Sequence, residues 1–257
     1  MNKYKSFLAL AAAAVGFLGA PISANAFTLG GVINGEEAFN ELGATIDVAA
    51  EGRIGDLSGA AEHEFNIHYD NENGGQTVPT EYRRFDWVSG QGEDFTLTFE
   101  DGTLTYEIGG QTLEYGITDT FNDLFIRTTA RKQGSSVVVD NLMLNDEAIA
   151  ENSSFACSGE GCGYWNSSQY LWLTDLEESF TLTGTTTMTW TGDAKNLRDK
   201  TAPHRSELAF QLKLGDAIMG EGLADELATV PEPISMSLFS VGVMGLAMTG
   251  LRRQQKG

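Results

Sequence analysis

Residues 95–115 read FTLTFEDGTLTYEIGGQTLEY, and apolar and polar side chains alternate along this stretch with a period of two residues. That period places every second side chain on the same face of a β-strand. Asp101-Gly102 and Gly109-Gly110 interrupt the alternation, and such pairs supply the positive φ angles that two-residue hairpin turns require. The stretch therefore predicts a three-stranded antiparallel meander with one face buried.

The same reasoning extends along the chain in both directions. Further strands are predicted at residues 65–69, 124–129, 136–144, 180–190 and 206–214. The segments 124–129 and 136–144 are predicted to pair with each other around a turn at residues 132–134. Residues 180–190 hold Thr at six of eleven positions, which favours extended chain over helix. Many short strands separated by turn residues predict an all-β fold, a jelly-roll-like antiparallel β-sandwich.

The helices that the sequence predicts are short. They are expected at residues 36–42, 146–150 and 216–228, and the last of these has few apolar residues. We therefore place one sandwich domain at residues 27–215 and a linker at residues 216–229.

The C-terminal segment has three consecutive parts. Val230, Pro231, Glu232 and Pro233 come first, residues 234–251 follow without a charge, and Arg252, Arg253 and Lys256 make a basic end. A span of this length can just cross the apolar core of a bilayer, which needs about 20 residues, and its basic end would stay on the cytoplasmic side.

This order of motif, span and basic end resembles the PEP-CTERM sorting signal of Gram-negative bacteria. The resemblance implies a precursor held transiently in the membrane through residues 234–251. It also implies processing by an exosortase, a membrane enzyme that removes C-terminal segments of this kind and passes the protein outward. In this chain the segment would be residues 230–257. An ordinary C-terminal membrane anchor is the alternative.

The N-terminal segment, residues 1–26, has the features of a signal peptide. Lys3 and Lys5 precede an apolar run at residues 7–18, and Ala24-Asn25-Ala26 fits a signal-peptidase site. We expect cleavage after Ala26 and a mature chain that starts at Phe27. The alternative is an uncleaved anchor, although the apolar run is short for a membrane span.

The charge of the chain limits its partners. The net charge is −20, and it becomes −24 without the five basic residues and one acidic residue of the two terminal segments. Such a chain repels nucleic acid and anionic membrane surfaces, since both attract proteins through Lys and Arg. The many carboxylates leave calcium open as a ligand, with solubility alone as the alternative.

The chain has two cysteines, Cys157 and Cys162, in a short Gly-rich stretch of the exported part. In an oxidising compartment such a pair is expected to form a local disulfide. A metal site would need more ligands than two thiols, and no His lies nearby in the sequence.

A second resemblance covers the middle of the chain. Residues 95–110, 122–128 and 134–142 are similar to a choice-of-anchor domain, with the type labelled W as the closest pattern. Domains of this class are exported and precede surface-sorting signals such as PEP-CTERM. The resemblance spans roughly residues 27–214 and implies a surface or matrix protein. It brings no established catalytic residues to this chain.

Calcium ligands are predicted at two places. Asp140 and Asn141 lie in a segment, Val139 to Leu142, that resembles a strand of carbohydrate-binding jelly-rolls, and Asp70 opens a loop rich in side-chain oxygens. Ca²⁺ prefers such ligands. The alternatives are a hydrogen-bonded Asp–Asn pair that fixes a strand register and a plain turn after residue 69.

Aromatic side chains suggest a sugar contact. Tyr164 and Trp165 lie in a polar Gly- and Ser-rich loop, where flat rings can stack on the apolar faces of sugars. Trp87 and Trp190 are interpreted as core residues. His63 and His68 are five residues apart and face opposite sides of a strand, which disfavours a joint metal site.

Taken with the two terminal segments, these patterns predict an exported cell-surface or extracellular-matrix protein with a structural or adhesive role, associated with exopolysaccharide. The chain contains no Gly-x-Ser-x-Gly and no His-Glu-x-x-His motif, and we do not expect an enzyme. Two alternatives are a carbohydrate-binding module with a calcium-stabilised jelly-roll and a secreted polysaccharide hydrolase. A hydrolase would need two carboxylates that converge in a cleft.

Overall fold

The computed structural model describes residues 27–54, 63–69, 79–162, 167–194, 196, 198–204 and 207–217. These residues form fourteen β-strands and one short helix, α1. The elements are, in chain order, β1 (Thr28–Asn34), α1 (Glu36–Glu41), β2 (Thr45–Ile54), β3 (His63–Tyr69), β4 (Pro79–Arg84), β5 (Gly92–Glu100), β6 (Thr103–Ile108), β7 (Gln111–Gly116), β8 (Asp123–Ala130), β9 (Ser135–Leu144), β10 (Glu147–Ala148), β11 (Ser154–Ser158), β12 (Ser168–Thr174), β13 (Phe180–Thr189) and β14 (Leu208–Asp216).

The strands form two antiparallel sheets. Sheet A has the order β1-β12-β8-β14-β2-β3-β4, and sheet B has the order β10-β9-β13-β5-β6-β7, with β11 paired to β9. The inner faces of the two sheets share one hydrophobic core, to which sheet A contributes Phe65, Ile126 and Phe210 and sheet B contributes Leu97 and Leu182. The prediction of an all-β sandwich is therefore confirmed.

The meander predicted at residues 95–115 is confirmed as β5, β6 and β7. Asp101 and Gly102 have φ angles of 49° and 71°, and Gly109 and Gly110 have φ angles of 54° and 77°, so both two-residue turns use positive φ as expected. On β5 and β6 the apolar side chains are buried, while the polar side chains between them are at least partly exposed.

The predicted pairing of residues 124–129 with 136–144 is wrong. Both segments are strands, but β8 lies in sheet A and β9 lies in sheet B. The chain crosses between the sheets after Ala130, where the backbone N–H of Arg131 donates to the carbonyl of Glu207. Alternation fixes which residues face the core, and both sheets face the same core, so it does not distinguish a hairpin from a crossover.

Of the predicted helices, the first is confirmed as α1 and the second is wrong. Asn145 and Asp146 both have positive φ angles, 50° and 64°, and so they form a tight turn from β9 into β10 where residues 146–150 were expected to be helical. The third prediction fails at its start, because Asp216 ends β14 and is not the first linker residue. From residue 218 onward, that helix lies outside the described residues.

Within the described ranges, no helix has both the length and the apolar character needed to cross a membrane. The predicted signal peptide at residues 1–26 and the predicted sorting segment at residues 230–257 lie outside those ranges.

Candidate functional site

The outer face of sheet A carries a cluster of buried charged and polar side chains. Glu51 and Arg53 come from β2, and Glu64, Asn66 and His68 come from β3. Their neighbours along each strand enter the core, so strand alternation points these five side chains away from it. They are nevertheless buried, with exposures from 0% for Asn66 to 7% for Glu64. A buried charge is expensive unless it is paired, so the contacts of this cluster decide whether it can exist.

Every charge in the cluster has a partner of opposite sign. The Arg53 guanidinium bonds the carboxylate of Glu51 at 2.9 Å through Nη1, and it bonds Glu64 Oε1 through Nε. His68 Nε2 contacts Glu51 Oε1 as well, and it lies 3.1 Å from Arg53 Nη2. Arg53 therefore bridges two carboxylates that come from adjacent strands.

The amide of Asn66 lies among these groups. In the orientation that satisfies both of its ends, its oxygen accepts from Arg53 Nη2 at 2.7 Å and its nitrogen donates to Glu51 Oε1 at 3.2 Å. His68 Nδ1 is buried and has no hydrogen-bond partner within the described part of the chain. We call Glu51, Arg53, Glu64, Asn66 and His68 the ionic cluster.

Hydrogen bonds continue from the ionic cluster across sheet A. Gln211 on β14 donates to Glu51 and accepts from Arg127 on β8. Arg127 in turn forms an ion pair with Glu36 at the start of α1. Glu36 also accepts hydrogen bonds from Tyr170 Oη at 2.6 Å and Ser168 Oγ at 2.8 Å. The result is a polar belt, which runs from β3 through β2, β14 and β8 to α1.

The belt holds two of its acids in the ionised form. Burial alone would raise the pKa of Glu51, but the hydrogen bond from His68 and the charges of Arg53 and His68 outweigh it and lower the pKa from 4.5 to about 2. For Glu36, burial is again opposed, here by the charge of Arg127 and the hydrogen bond from Tyr170, and its pKa is also about 2. Neither acid can donate a proton near neutral pH.

A cleft of about 490 Å³ lies beside α1 at the end of the belt. It is lined by Asn34, Gly35, Glu36, Glu37, Ala38, Glu41 and Ser167. The two predicted sugar-stacking residues, Tyr164 and Trp165, precede Ser167 closely in the sequence, but both lie outside the described residues.

The outer face of sheet B differs in composition. Its central strand, β13, points Thr181, Thr183, Thr185, Thr187 and Thr189 outward in one unbroken row. Further outward threonines on β5 and β6 extend this row sideways: Thr181 pairs with Thr98, which pairs with Thr105, and Thr183 pairs with Thr96. We call the outward threonines of β13, β5 and β6 the threonine face.

The predicted Asp140–Asn141 pair lies at the border of the threonine face. Asn141 has a φ angle of 54°, and the β9–β13 register shifts between Thr183 and Thr185, so a β-bulge places Asn141 and Leu142 opposite Gly184. The Asn141 amide donates to Asp140 Oδ1 at 3.1 Å. Gly184 fits because a Cβ there would lie 2.8 Å from Phe95 and 2.9 Å from Leu142. The geometry favours the alternative in which this pair fixes the strand register.

Calcium binding by these residues remains a prediction. In the described ranges, no group of three or more His, Cys, Asp or Glu side chains is arranged to hold a metal ion. Asp94 and Asp140 flank Thr185 on the two neighbouring strands, and the Thr185 hydroxyl donates to Asp94 at 2.8 Å. The other proposed ligand, Asp70, lies outside the described residues.

The predicted disulfide is confirmed. Cys157 and Cys162 are bonded, with their Cα atoms 5.8 Å apart, and the bond joins β11 to the loop that follows it. Because β11 pairs with β9 at the border of sheet B, the disulfide holds the loop after β11 against that strand.

The two tryptophans that the sequence analysis interprets as core residues both pack against the core. Trp87 is a core residue, 4% exposed, and its indole N–H donates to the carbonyl of Glu64 at 3.2 Å, while Trp190 is partly buried against the core. The predicted sorting motif, Val230 to Pro233, lies outside the described residues.

No model of a known protein family matches this chain, and a search of curated proteins finds no match either.

The ionic cluster is the feature that sequence reasoning missed. The alternation along β2 and β3 places its side chains on the outer face, where charged residues are normally in water. A second signal is present, because Glu51, Arg53, Glu64 and His68 concentrate acidic and basic groups within 18 residues, although the strand that carries Glu51 and Arg53 was not predicted. Such proximity indicates pairing, but it does not reveal burial.

Proposed function

We propose that this chain is an exported protein of the cell surface or extracellular matrix of a Gram-negative bacterium, sorted by an exosortase and associated with exopolysaccharide in a structural or adhesive role. The observation that carries the proposal is the C-terminal order of Pro-Glu-Pro motif, uncharged span and basic end. The signal-peptide pattern of residues 1–26 supports it from the other end of the chain.

The disulfide adds support for an exported location. Disulfides persist in oxidising compartments outside the cytosol, and the Cys157–Cys162 bond lies in the domain between the two terminal segments. The β-sandwich agrees with the resemblance to a choice-of-anchor domain. We further propose that the sandwich is jelly-roll-like and that the choice-of-anchor domain is of type W.

Three acids of the described residues, Glu36, Glu51 and Asp199, are unsuited to the general-acid role in glycoside hydrolysis. Glycoside hydrolysis needs one carboxyl group whose pKa is raised so that it can protonate the leaving oxygen. Hydrogen bonds from Thr201 and from the backbone lower the pKa of Asp199 to about 2, and the pKa values of Glu36 and Glu51 are lowered as well. Each of these acids is arranged to stay ionised.

Mass spectrometry of the exported protein tests the proposal. We expect a mature chain that begins at Phe27 and lacks residues 234–257, with no free thiol before reduction. Replacing Pro231, Glu232 and Pro233 by Ala should leave the precursor in the membrane. A matched control replaces Asp225, Glu226 and Leu227 of the predicted linker by Ala and should be processed normally. Recovery of peptides from residues 234–251 in surface-released protein would contradict exosortase processing.

A further inference from the structure

We infer that the outer face of sheet B is a docking surface for an uncharged polysaccharide chain. This inference rests on the proposed function and assigns its glycan contact to the threonine face and to the apolar side chains beside it.

Charge is the first argument. The strands of sheet B contain no Lys, Arg or His. Those of sheet A contain Arg53, His63, His68, Arg83, Arg84, Arg127 and Lys213. The acids that point outward from sheet B are Asp94, Glu100, Glu107, Glu114 and Asp140. An anionic polymer would meet these carboxylates with no basic side chain on the strands of sheet B to offset them, so the face favours a polymer without negative charge.

The absence of charge on the central strand is the second argument. A solvated protein surface is typically about 25–35% charged residues. This chain has 36 acidic residues in 257, yet the outward row of β13 is threonine at all five positions. A face that served solubility alone would be expected to carry acids at its centre as well as at its rim.

The chemistry of the row fits hydroxyl-rich ligands. A threonine hydroxyl both donates and accepts a hydrogen bond, as a sugar hydroxyl does. Neighbouring outward side chains are spaced about 4.8 Å apart across the strands and about 6.7 Å apart along one strand. Thr98 Oγ1 and Thr181 Oγ1 already lie 3.3 Å apart. Threonine is stiff at χ1, so binding such a surface costs little side-chain entropy.

An apolar strip beside the row supplies the second half of a sugar site. Phe155 on β11 is 41% exposed and pairs across the ladder with Val138, which pairs in turn with Thr187. Met143, 37% exposed, pairs with Thr183. Exposed apolar side chains next to convergent polar groups match the apolar and polar faces of a sugar ring. Within the described residues the one helix, α1, packs on the opposite sheet and leaves this face open.

Affinity electrophoresis of the exported protein in native gels tests the inference. The gels contain hydroxyethyl cellulose or galactomannan as uncharged polymers, alginate as an anionic polymer and chitosan as a cationic polymer. We expect an uncharged polymer, but not alginate, to slow migration. Thr183→Lys with Thr187→Lys, and Phe155→Ala, should each weaken the apparent affinity at least tenfold.

The matched control is Thr28→Lys with Thr45→Lys, which adds the same charge at exposed positions of sheet A. It should migrate as the wild type does in uncharged polymer, and the melting temperature of every variant verifies folding. Retardation by chitosan alone, abolished by salt, would overturn the inference in favour of simple charge attraction. Equal binding by the control and the face variants would place the glycan elsewhere. Normal terminal processing without any binding would leave the sorting proposal intact while ending this one.

Discussion

The two outer faces of this sandwich place their polar side chains in different environments. Sheet A buries and pairs the outward charges of β2 and β3 in the polar belt, whereas sheet B leaves neutral hydroxyls outward and keeps its acids unpaired by any basic residue of that sheet. A buried charge contributes to stability only while its partner is present, but an exposed hydroxyl contributes little in either case. The comparison therefore predicts that substitutions in the belt affect stability and that outward substitutions on sheet B affect binding.

The largest expected effect is that of Arg53→Ala. The change leaves Glu51 and Glu64 buried without their common partner, and breaking a buried pair in this way costs about 3–5 kcal/mol. Urea denaturation measures the loss in the free energy of unfolding. Arg83→Ala, at an exposed position of β4, is the control and should change stability by less than about 0.5 kcal/mol. A loss below about 1 kcal/mol for Arg53→Ala would mean that the cluster contributes no more than a surface ion pair.

Acid should destabilise the protein through the same face. The pKa of Glu51 is about 2 in the folded protein against an ordinary value of 4.5, so its contribution is present above pH 4.5 and is lost as the pH falls toward 2. The loss is on the order of 2–3 kcal/mol. Unfolding free energies measured between pH 7 and pH 2 should show this decline, and Glu51→Gln should flatten it. Glu114→Gln, on the exposed edge of sheet B, should leave the decline of the unfolding free energy unchanged. An equal flattening by both variants would mean that the polar belt contributes no more to the acid sensitivity than an exposed carboxylate does.

Calcium sharpens the comparison from the side of sheet B. A ligand that binds only the folded state stabilises it by about 2.7 kcal/mol at a hundredfold excess over its Kd. We expect millimolar Ca²⁺ to raise the melting temperature by several degrees, and Mg²⁺ to raise it less because it keeps its waters. Asp140→Ala and Asp70→Ala should reduce the shift, while Glu114→Ala should not. Equal shifts with NaCl at matched ionic strength would reduce the effect to screening.

The smallest effect separates the inward and outward threonines of β13. Thr186 points into the core, is fully buried, and its hydroxyl has no partner within the described part of the chain. Thr186→Val removes that unpaired polar group and should stabilise the protein by about 1 kcal/mol. Thr187→Val, one residue further and outward, should be neutral within about 0.5 kcal/mol in the same thermal unfolding measurements. Destabilisation by Thr186→Val would indicate a hydrogen bond to that hydroxyl.

Local chemistry made much of this fold predictable. Three kinds of feature depend only on residues close together in the chain and could therefore be predicted: the turns at Asp101-Gly102 and Gly109-Gly110, the position of α1, and the disulfide. Sheet membership of β8 and β9 could not be predicted, because it depends on which distant strand each one meets. The turn at Asn145 and Asp146 was not predicted, because both residues adopt positive φ angles and no glycine marks the turn in the sequence.

The candidate sites divide along the same line. Asp140 and Asn141 could be found from their residue types, but their bulge arises from pairing with β13, where Asp140 pairs with Thr185, 45 residues further along the chain. The sequence predicts a strand at the threonine-rich segment 180–190. It does not predict the threonine face, because that surface forms only when β5 and β6 bring further threonines alongside β13. Burial of the ionic cluster likewise depends on tertiary structure, since alternation alone predicts exposure for Glu51 and Arg53.

The position of β14 has a consequence for how the protein matures. It is the last strand in the described chain, yet it lies in the middle of sheet A and is the only link between the β1-β12-β8 ribbon and the β2-β3-β4 ribbon. Until Leu208–Asp216 is available for pairing, sheet A consists of two unconnected pieces, and only then can they join. If the chain is exported through a translocation channel as we propose, the domain stays incomplete until the residues just before the predicted sorting segment have emerged.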